Sequence, residues 1–470
     1  MGSAFSVGSY YRSHPIPDDW DGKPEDYEAL KIVIRERMEN SKELYQLLHG
    51  VQMIITRRNS AKASTEFIEY GYADLINTVI EKKYLNSDIL AIATIILSHI
   101  IEASPDCGYP MVHTHKCLKT LSDVLPKLYR KSSIIQVLAT MCDLGQYYGD
   151  AGDLNPDELY QRLLKLISKH SDAPSLCSSA VTVIAYTLVG RKEDNIPRFL
   201  GYGGVEAVCN LFSAYISNDT VAFACSNVLS VLSLQPASAR DVVQMGGIEL
   251  LVEYVRTRRD PEALAASIHA LQNILWESTS TRLRALNLGL VAAVRDATGG
   301  GAQIAQYIGY SALCLATLFS VDATFKRGEE RAAAVEALDY LKTRDGANKR
   351  VLHALSIINR VEDPRACGCR EAGVCSRTRI DKCKEHGGFM YCEKCGVPQF
   401  MFRCATCSDP LKVYCLACKE RCHKGHKGET FFFTAHCDCE NKECCCPPPS
   451  HHPLSSTSLS SGNNNNNDDK

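Results

Sequence analysis

Short glycine-containing motifs recur along this chain at nearly constant intervals. The motif GGVE at residues 203–206 reappears as GGIE at 246–249, 43 residues later, and LGLV at 288–291 follows after another 42 residues. An earlier echo, YGYA, stands at 70–73. A unit of this length cannot bury its apolar face alone, but stacking against its neighbours buries that face. The period therefore predicts an elongated array of repeats.

Polar breaks divide residues 26–362 into about seven units of roughly 40 to 47 residues. Between the breaks, apolar residues recur at i, i+3, i+4 and i+7, as at Ala263, Leu264, Ile268 and Leu271, which is typical of helices. We therefore predict a mainly α chain up to Pro364. The breaks lie at 86–88, 131–132, 171–172, 218–219, 259–261, 299–301 and 345–346.

The period and the paired glycines resemble armadillo repeats, with HEAT repeats as the close alternative. The resemblance implies a right-handed solenoid with a long groove, and we expect the glycines to permit the turn between one unit's last helix and the next unit's first. Some armadillo proteins bind extended peptides through a ladder of asparagines on the last helix of each repeat. Asn227 and Asn273 match such a ladder, with Thr187 and Thr317 at the neighbouring positions. The alternative is that the array is a rigid spacer.

A cluster of cysteines follows the helical part: sixteen of the 23 lie between Cys367 and Cys446. A CxxC pair places two thiolates on one tight turn, where both can bind the same zinc ion. The ligand set exceeds the need of two tetrahedra, so we predict about three zinc ions, or two that share a thiolate. The predicted ligands are Cys392, Cys395, Cys404, Cys407, Cys415, Cys418, Cys422, His423, His426, Cys437 and Cys439.

The rival interpretation of this cluster is a disulfide framework. The remaining cysteines stand singly in apolar helical sequence, as buried thiols in a reducing compartment do, and this favours zinc. These seven residues are Cys107, Cys117, Cys142, Cys177, Cys209, Cys225 and Cys314.

The order CxxC, CxxC, CHKGH at 422–426 and CDC at 437–439 resembles the UBR box, a zinc module of N-recognins and of several ubiquitin ligases and F-box proteins. A ZZ-type zinc finger, which lacks the closing CDC, is the alternative for residues 366–446. In the family, aspartates line a pocket for a basic N-terminal residue. Asp438 matches one and Asp409 approximately matches another. Where a further aspartate follows in the family, this chain has Glu440 and Asn441 instead.

The two ends of the chain predict no packed domain. Residues 1–25 are typical of an extended arm, and their start, MGSAFS, fits N-myristoylation of Gly2. One acyl chain gives only weak membrane contact. Residues 447–470 are a low-complexity tail that we expect to be disordered. The longest apolar run, 89–101, is too short to span a bilayer.

Together these patterns predict a cytoplasmic protein-interaction or adaptor protein. The resemblance to the UBR box implies that it recognises protein substrates or N-terminal degrons for ubiquitin-dependent turnover, with ubiquitin ligase components as partners. The 52 basic and 54 acidic residues do not suggest a nucleic-acid partner. We find no catalytic residues and no RING, U-box or HECT pattern. The alternatives are a membrane-associated armadillo scaffold with a structural zinc module, and a ubiquitin ligase of an unrecognised type.

Overall fold

The computed structural model divides the chain into two compact units, Met1–Ile358 and Asn359–Lys470. It describes residues 24–58, 61–149, 154–190, 192–299, 305–345, 348–359, 399–404, 406, 413–415 and 425–433. The predicted tail at 447–470 and nearly all of the predicted arm at 1–25 lie outside these ranges.

The described part of the first unit contains 22 α-helices, which confirms the prediction of a mainly α chain. Short 3₁₀ turns lie at Pro105–Cys107 and Leu125–Lys127. The helices are α1 (Pro24–Glu36), α2 (Ser41–Arg58), α3 (Ala61–Glu69), α4 (Tyr72–Lys83), α5 (Ser87–Ala103), α6 (Gly108–His113), α7 (Cys117–Val124), α8 (Lys131–Gly145), α9 (Pro156–Lys169), α10 (Pro174–Gly190), α11 (Lys192–Gly201), α12 (Gly204–Ala214), α13 (Asp219–Leu232), α14 (Pro236–Gln244), α15 (Gly247–Thr257), α16 (Pro261–Ile274), α17 (Thr279–Asn287), α18 (Leu290–Gly299), α19 (Ala305–Leu318), α20 (Asp322–Phe325), α21 (Gly328–Arg344) and α22 (Lys349–Ile358).

One helix of each repeat packs against its counterpart in the next repeat. We call α2, α5, α8, α10, α13, α16, α19 and α22 the third helices, because each closes a repeat, and they stack in that order. Their apolar faces are fully buried, as at Leu229, Leu271 and Leu315. The helices α12, α15, α18 and α21 form a second row beside them.

The polar breaks in the sequence mark the starts of third helices. The side chains of Asn86, Asn218 and Asp260 accept hydrogen bonds from backbone N–H groups in the first turns of α5, α13 and α16. Such caps satisfy donors that have no partner within the helix. Three of the breaks are therefore helix N-caps, whereas Arg130 before α8 forms no side-chain cap.

The paired glycines lie inside a repeat, and the prediction that they join one repeat to the next is wrong. Gly203 and Gly246, with φ of 71° and 80°, stand in the left-handed region between the first and second helices of their repeats. The second glycine of the pair allows close packing: a Cβ on Gly247 would lie 2.5 Å from Val242 Cγ1. Lys116 takes the same position before α7, with φ of 59°.

The described part of the second unit is a three-stranded antiparallel sheet in the order β2-β1-β3, with β1 Gln399–Cys404, β2 Val413–Cys415 and β3 Gly428–Phe433. Phe402 is buried. Arg403 and Glu429 face each other across β1 and β3 and form an ion pair of 3.0 Å.

None of the described helices is long and apolar enough to cross a membrane.

We predict that Gly246→Ala destabilises the chain by about 1–2 kcal/mol, because an L-residue in the left-handed region meets its own carbonyl oxygen. The measurement is the urea unfolding midpoint of the full chain by circular dichroism. Gly201→Ala is the matched control, because a Cβ there meets nothing within 4 Å and Gly201 lies in a helix. The same loss in both variants would contradict the conformational explanation.

Candidate functional site

A row of half-buried polar and aromatic side chains crosses five consecutive third helices. It runs through α10, α13, α16, α19 and α22, and its members are 40 to 42 residues apart, one in each repeat. We call this row the ladder. Its residues are Tyr186, Asn227, His269, Tyr310 and Arg350.

Several members of the ladder are held by contacts with the adjacent repeat. The ring of His269, in the preceding repeat, stacks on the ring of Tyr310 with centroids 4.4 Å apart. The guanidinium of Arg350, in the following repeat, lies 5.7 Å from the centre of the Tyr310 ring. Tyr186 packs over Gly145 of α8, where a Cβ would come within 2.8 Å of the tyrosine ring. These side chains are therefore positioned before any ligand binds.

A hydrogen-bond relay fixes the imidazole of His269. Ser230 Oγ accepts a hydrogen bond of 3.0 Å from the Asn273 amide. Its own proton can therefore go to His269 Nδ1, which lies 3.1 Å away. These contacts fix the orientation of the imidazole ring.

Exposed apolar side chains border the ladder. Phe223, one turn before Asn227 on α13, is 38% exposed, and Val189, one turn after Tyr186 on α10, is 50% exposed. A surface that combines exposed apolar groups with hydrogen-bonding groups on a rigid scaffold is typical of a protein or peptide interface.

The predicted asparagine ladder is wrong in its register. The capping residues Asn218 and Asp260 are 42 residues apart, so Asn227 corresponds to His269 and not to Asn273. Ser226 and Ser267 hydrogen-bond across α13 and α16 at 2.9 Å. Asn273 is 1% exposed and donates to Ser230 of the preceding repeat, while its Oδ1 has no partner among the described residues.

The two threonines assigned to that ladder are buried as well. The hydroxyls of Thr187 and Thr317 bond back to carbonyls of their own helices, at Val183 and Leu313. Counting from the capping residues Asn218 and Asp260, which are 42 residues apart, would have given the correct register.

A carboxylate lies close to the first member of the ladder. Burial raises the pKa of Asp143 on α8, and the charge of Glu102 on α5 raises it further, while Ser98 opposes the rise. Burial, Cys142 and Asp143 in turn raise the pKa of Tyr186. Asp143 of α8 and Glu102 of α5 thus form an acidic edge beside Tyr186.

In the second unit, the structure brings two predicted zinc ligands together. Cys404 Sγ and His426 Nδ1 lie 3.4 Å apart. The last residue of β1, Cys404, is paired with Gly428, the first residue of β3, and the left-handed Gly425 (φ 81°) turns the chain just before His426. Thr406 braces this turn, since its hydroxyl accepts a 2.9 Å hydrogen bond from Lys427 N.

This separation fits two ligands of one zinc ion. Tetrahedral zinc holds sulfur at about 2.3 Å and nitrogen at about 2.0–2.1 Å, which places the two ligand atoms about 3.6 Å apart. The Cα of Cys415 on β2 is paired with that of Met401 on β1, three residues before Cys404.

The remaining site predictions lie outside the described residues. They are the zinc ligands Cys392, Cys395, Cys407, Cys418, Cys422, His423, Cys437 and Cys439, the pocket residues Asp409 and Asp438, and the acylation site Gly2. Within the described residues, no group of three or more His, Cys, Asp or Glu side chains could hold a metal ion.

The isolated cysteines of the helical unit are free thiols, as predicted. Six of the seven are buried and Cys142 is half-buried. Burial raises the pKa of Cys117 and of Cys314 to about 12, so these thiols are protonated at neutral pH and do not act as nucleophiles.

Comparison with known proteins bears on the fold alone. No protein-family model matches this chain, and no curated protein matches it. The chain is similar to one from a structure concerning the interaction between cadherin and beta-catenin, with a TM-score of 0.54 and 16% identity over 76% of this chain; it spans 65% of that chain.

Two further solved structures are similar. An engineered protein matches with a TM-score of 0.52 and 16% identity, over 76% of this chain and 89% of that chain. The designed armadillo repeat protein YIII(Dq)4CqI matches with a TM-score of 0.43 and 15% identity, over 52% of this chain and 98% of that one. The two matches with TM-scores above 0.5 support an armadillo-like repeat fold for the helical unit.

Proposed function

We propose that this chain is a protein-interaction scaffold that binds a peptide segment of a partner along the ladder. The observation that supports this function is the ladder itself, five half-buried polar or aromatic side chains at one position on five stacked helices. A rigid spacer would not require aromatic and polar side chains at the same position of successive third helices.

The chemistry of the ladder suits an extended backbone. Every residue of an extended peptide presents an N–H and a C=O, and the amide of Asn227 can accept from one and donate to the other. The rings of Tyr186 and Tyr310 add apolar contact area at a small cost in side-chain entropy.

The spacing of the array also suits an extended backbone. Packed helices lie about 8–10 Å apart, which is about three residues of an extended strand. One chain of similar fold comes from a structure that concerns the interaction between cadherin and beta-catenin, and this adds support to a scaffold function.

A second candidate function rests on the 3.4 Å approach of Cys404 and His426. The residues from 366 to 446 would form a UBR-type module that binds about three zinc ions and recognises peptides by a free N-terminus. Asp409 and Asp438 would accept hydrogen bonds from the peptide's ammonium group. Such a module would connect bound proteins to ubiquitin ligase components, and a myristoyl group on Gly2 would add weak membrane contact.

If the ladder binds peptides, the binding affinity should depend on several of its side chains together. Peptides selected from a displayed random 16-residue library against the full chain should lose at least about tenfold in affinity for the Asn227→Ala, His269→Ala, Tyr310→Ala triple variant, because interface aromatics carry much of the binding energy. The control variant is Leu85→Ala with Tyr129→Ala, both well exposed and outside the ladder. Equal binding to wild type and triple variant contradicts the function.

The zinc proposal predicts about three zinc ions per full-length chain by atomic emission. Cys404→Ser and His426→Ala should each remove one, and the double variant should remove no more, because both residues bind the same ion. Cys142→Ser is the control and should keep all of them. Fewer than two zinc ions in the wild type would sink the proposal.

The degron proposal predicts discrimination by the peptide's N-terminus. Titration calorimetry of the full chain with peptides that begin with Arg, Gly or acetylated Arg should show the tightest binding for free Arg. Asp438→Asn should abolish this preference while zinc content stays unchanged, since the substitution removes a charge and no ligand. Equal affinity for free and acetylated Arg would show that no N-terminal pocket operates.

A further inference from the structure

The two ends of the ladder differ in charge. At one end, Asp143 is half-buried between α5, α8 and α10, and Glu102 lies nearby. No lysine, arginine or histidine of the described residues pairs with Asp143. The carboxylate is therefore partly desolvated without a compensating cation, which is an unfavourable state that a bound cation would relieve.

At the other end, a cation stands without a carboxylate. The guanidinium of Arg350 is half-buried over the ring of Tyr310 and against Gly309. It forms no ion pair with any described carboxylate, and the exposed Lys349 precedes it on α22. Arg350 keeps N–H donors in a planar fork that matches a carboxylate.

The members between these ends include no lysine, arginine, aspartate or glutamate. They are Tyr186, Asn227, His269 and Tyr310, and burial raises the pKa of the Tyr186 hydroxyl. The charge pattern along the ladder is thus acidic, then neutral, then basic.

The distance between the charged ends sets a length. Five steps between neighbouring third helices separate α8 from α22. At about 8–10 Å per step, the ends lie about 40–50 Å apart. An extended strand at about 3.3 Å per residue covers that distance with about 12–15 residues.

From the charge pattern and this length, we infer that the ladder takes an extended peptide segment of about 12–15 residues with Lys or Arg at one end and Asp or Glu at the other. The inference rests on the proposed peptide-binding function and names the chemical class of the segment. The basic end lies against Asp143, and the acidic end lies against Arg350.

The test uses synthetic fluorescent peptides of 15 residues and the full-length chain, followed by anisotropy. One peptide has two arginines at its N-terminus and two aspartates at its C-terminus, with a Ser/Asn/Tyr spacer. A second has the reverse order, because a peptide bond has a direction. In a third set of peptides, glutamines replace either the two arginines or the two aspartates. In a further peptide, both charged ends are kept and the spacer is half as long.

One bipolar order should bind at least about tenfold more tightly than its singly neutralised versions and its short version, and more weakly as salt rises. Asp143→Asn should weaken only peptides that keep the arginines, and Arg350→Gln only those that keep the aspartates. Glu206→Gln and Lys165→Gln, which change exposed charges on α12 and α9, are the controls and should have no effect.

Absence of this pairwise coupling, or equal affinity for the short peptide, would overturn the inference. The ladder triple variant separates this failure from that of the proposed function. If library-selected peptides still depend on the ladder while charge and length do not matter, the interaction function stands and the inference about its ligand fails.

Discussion

The burial of each third helix depends on the repeats beside it. Leu229, Leu271 and Leu315 are fully buried, yet each sits on a helix that only its neighbours can cover. Polar contacts between these helices fix their register, as in the hydrogen bond between Ser226 and Ser267. Because the apolar contact between helices carries no direction, such pairs decide which residues line up along the array.

That register creates the candidate site. A residue on one third helix has no special position by itself, but the stacking brings Asn227, His269 and Tyr310 into a single row. The same stacking leaves Asp143 at one end of the row and Arg350 at the other. A shift of one residue between α13 and α16 would rotate the row by about 100° around the helix and disperse it.

The described part of the second unit differs from the helical unit in its small apolar core. A sheet of three short strands has little core, and Phe402 and Cys404 are its described buried apolar side chains. The proposed zinc ions would add folding energy to this sheet. The approach of Cys404 to His426 follows from strand pairing, which brings together two residues that are 22 positions apart in sequence.

The sequence alone determined the helical repeat, because periodic apolar positions and recurring capping residues such as Asn86 and Asn218 are local signals. It also determined that glycines like Gly246 need an unusual turn, although only the structure placed that turn within a repeat. Matching asparagines by their neighbours failed, since Asn273 resembles Asn227 in sequence but turns into the interface toward Ser230. The tertiary structure decided which face of each third helix is exposed, because that depends on how two helices pack and not on either helix alone.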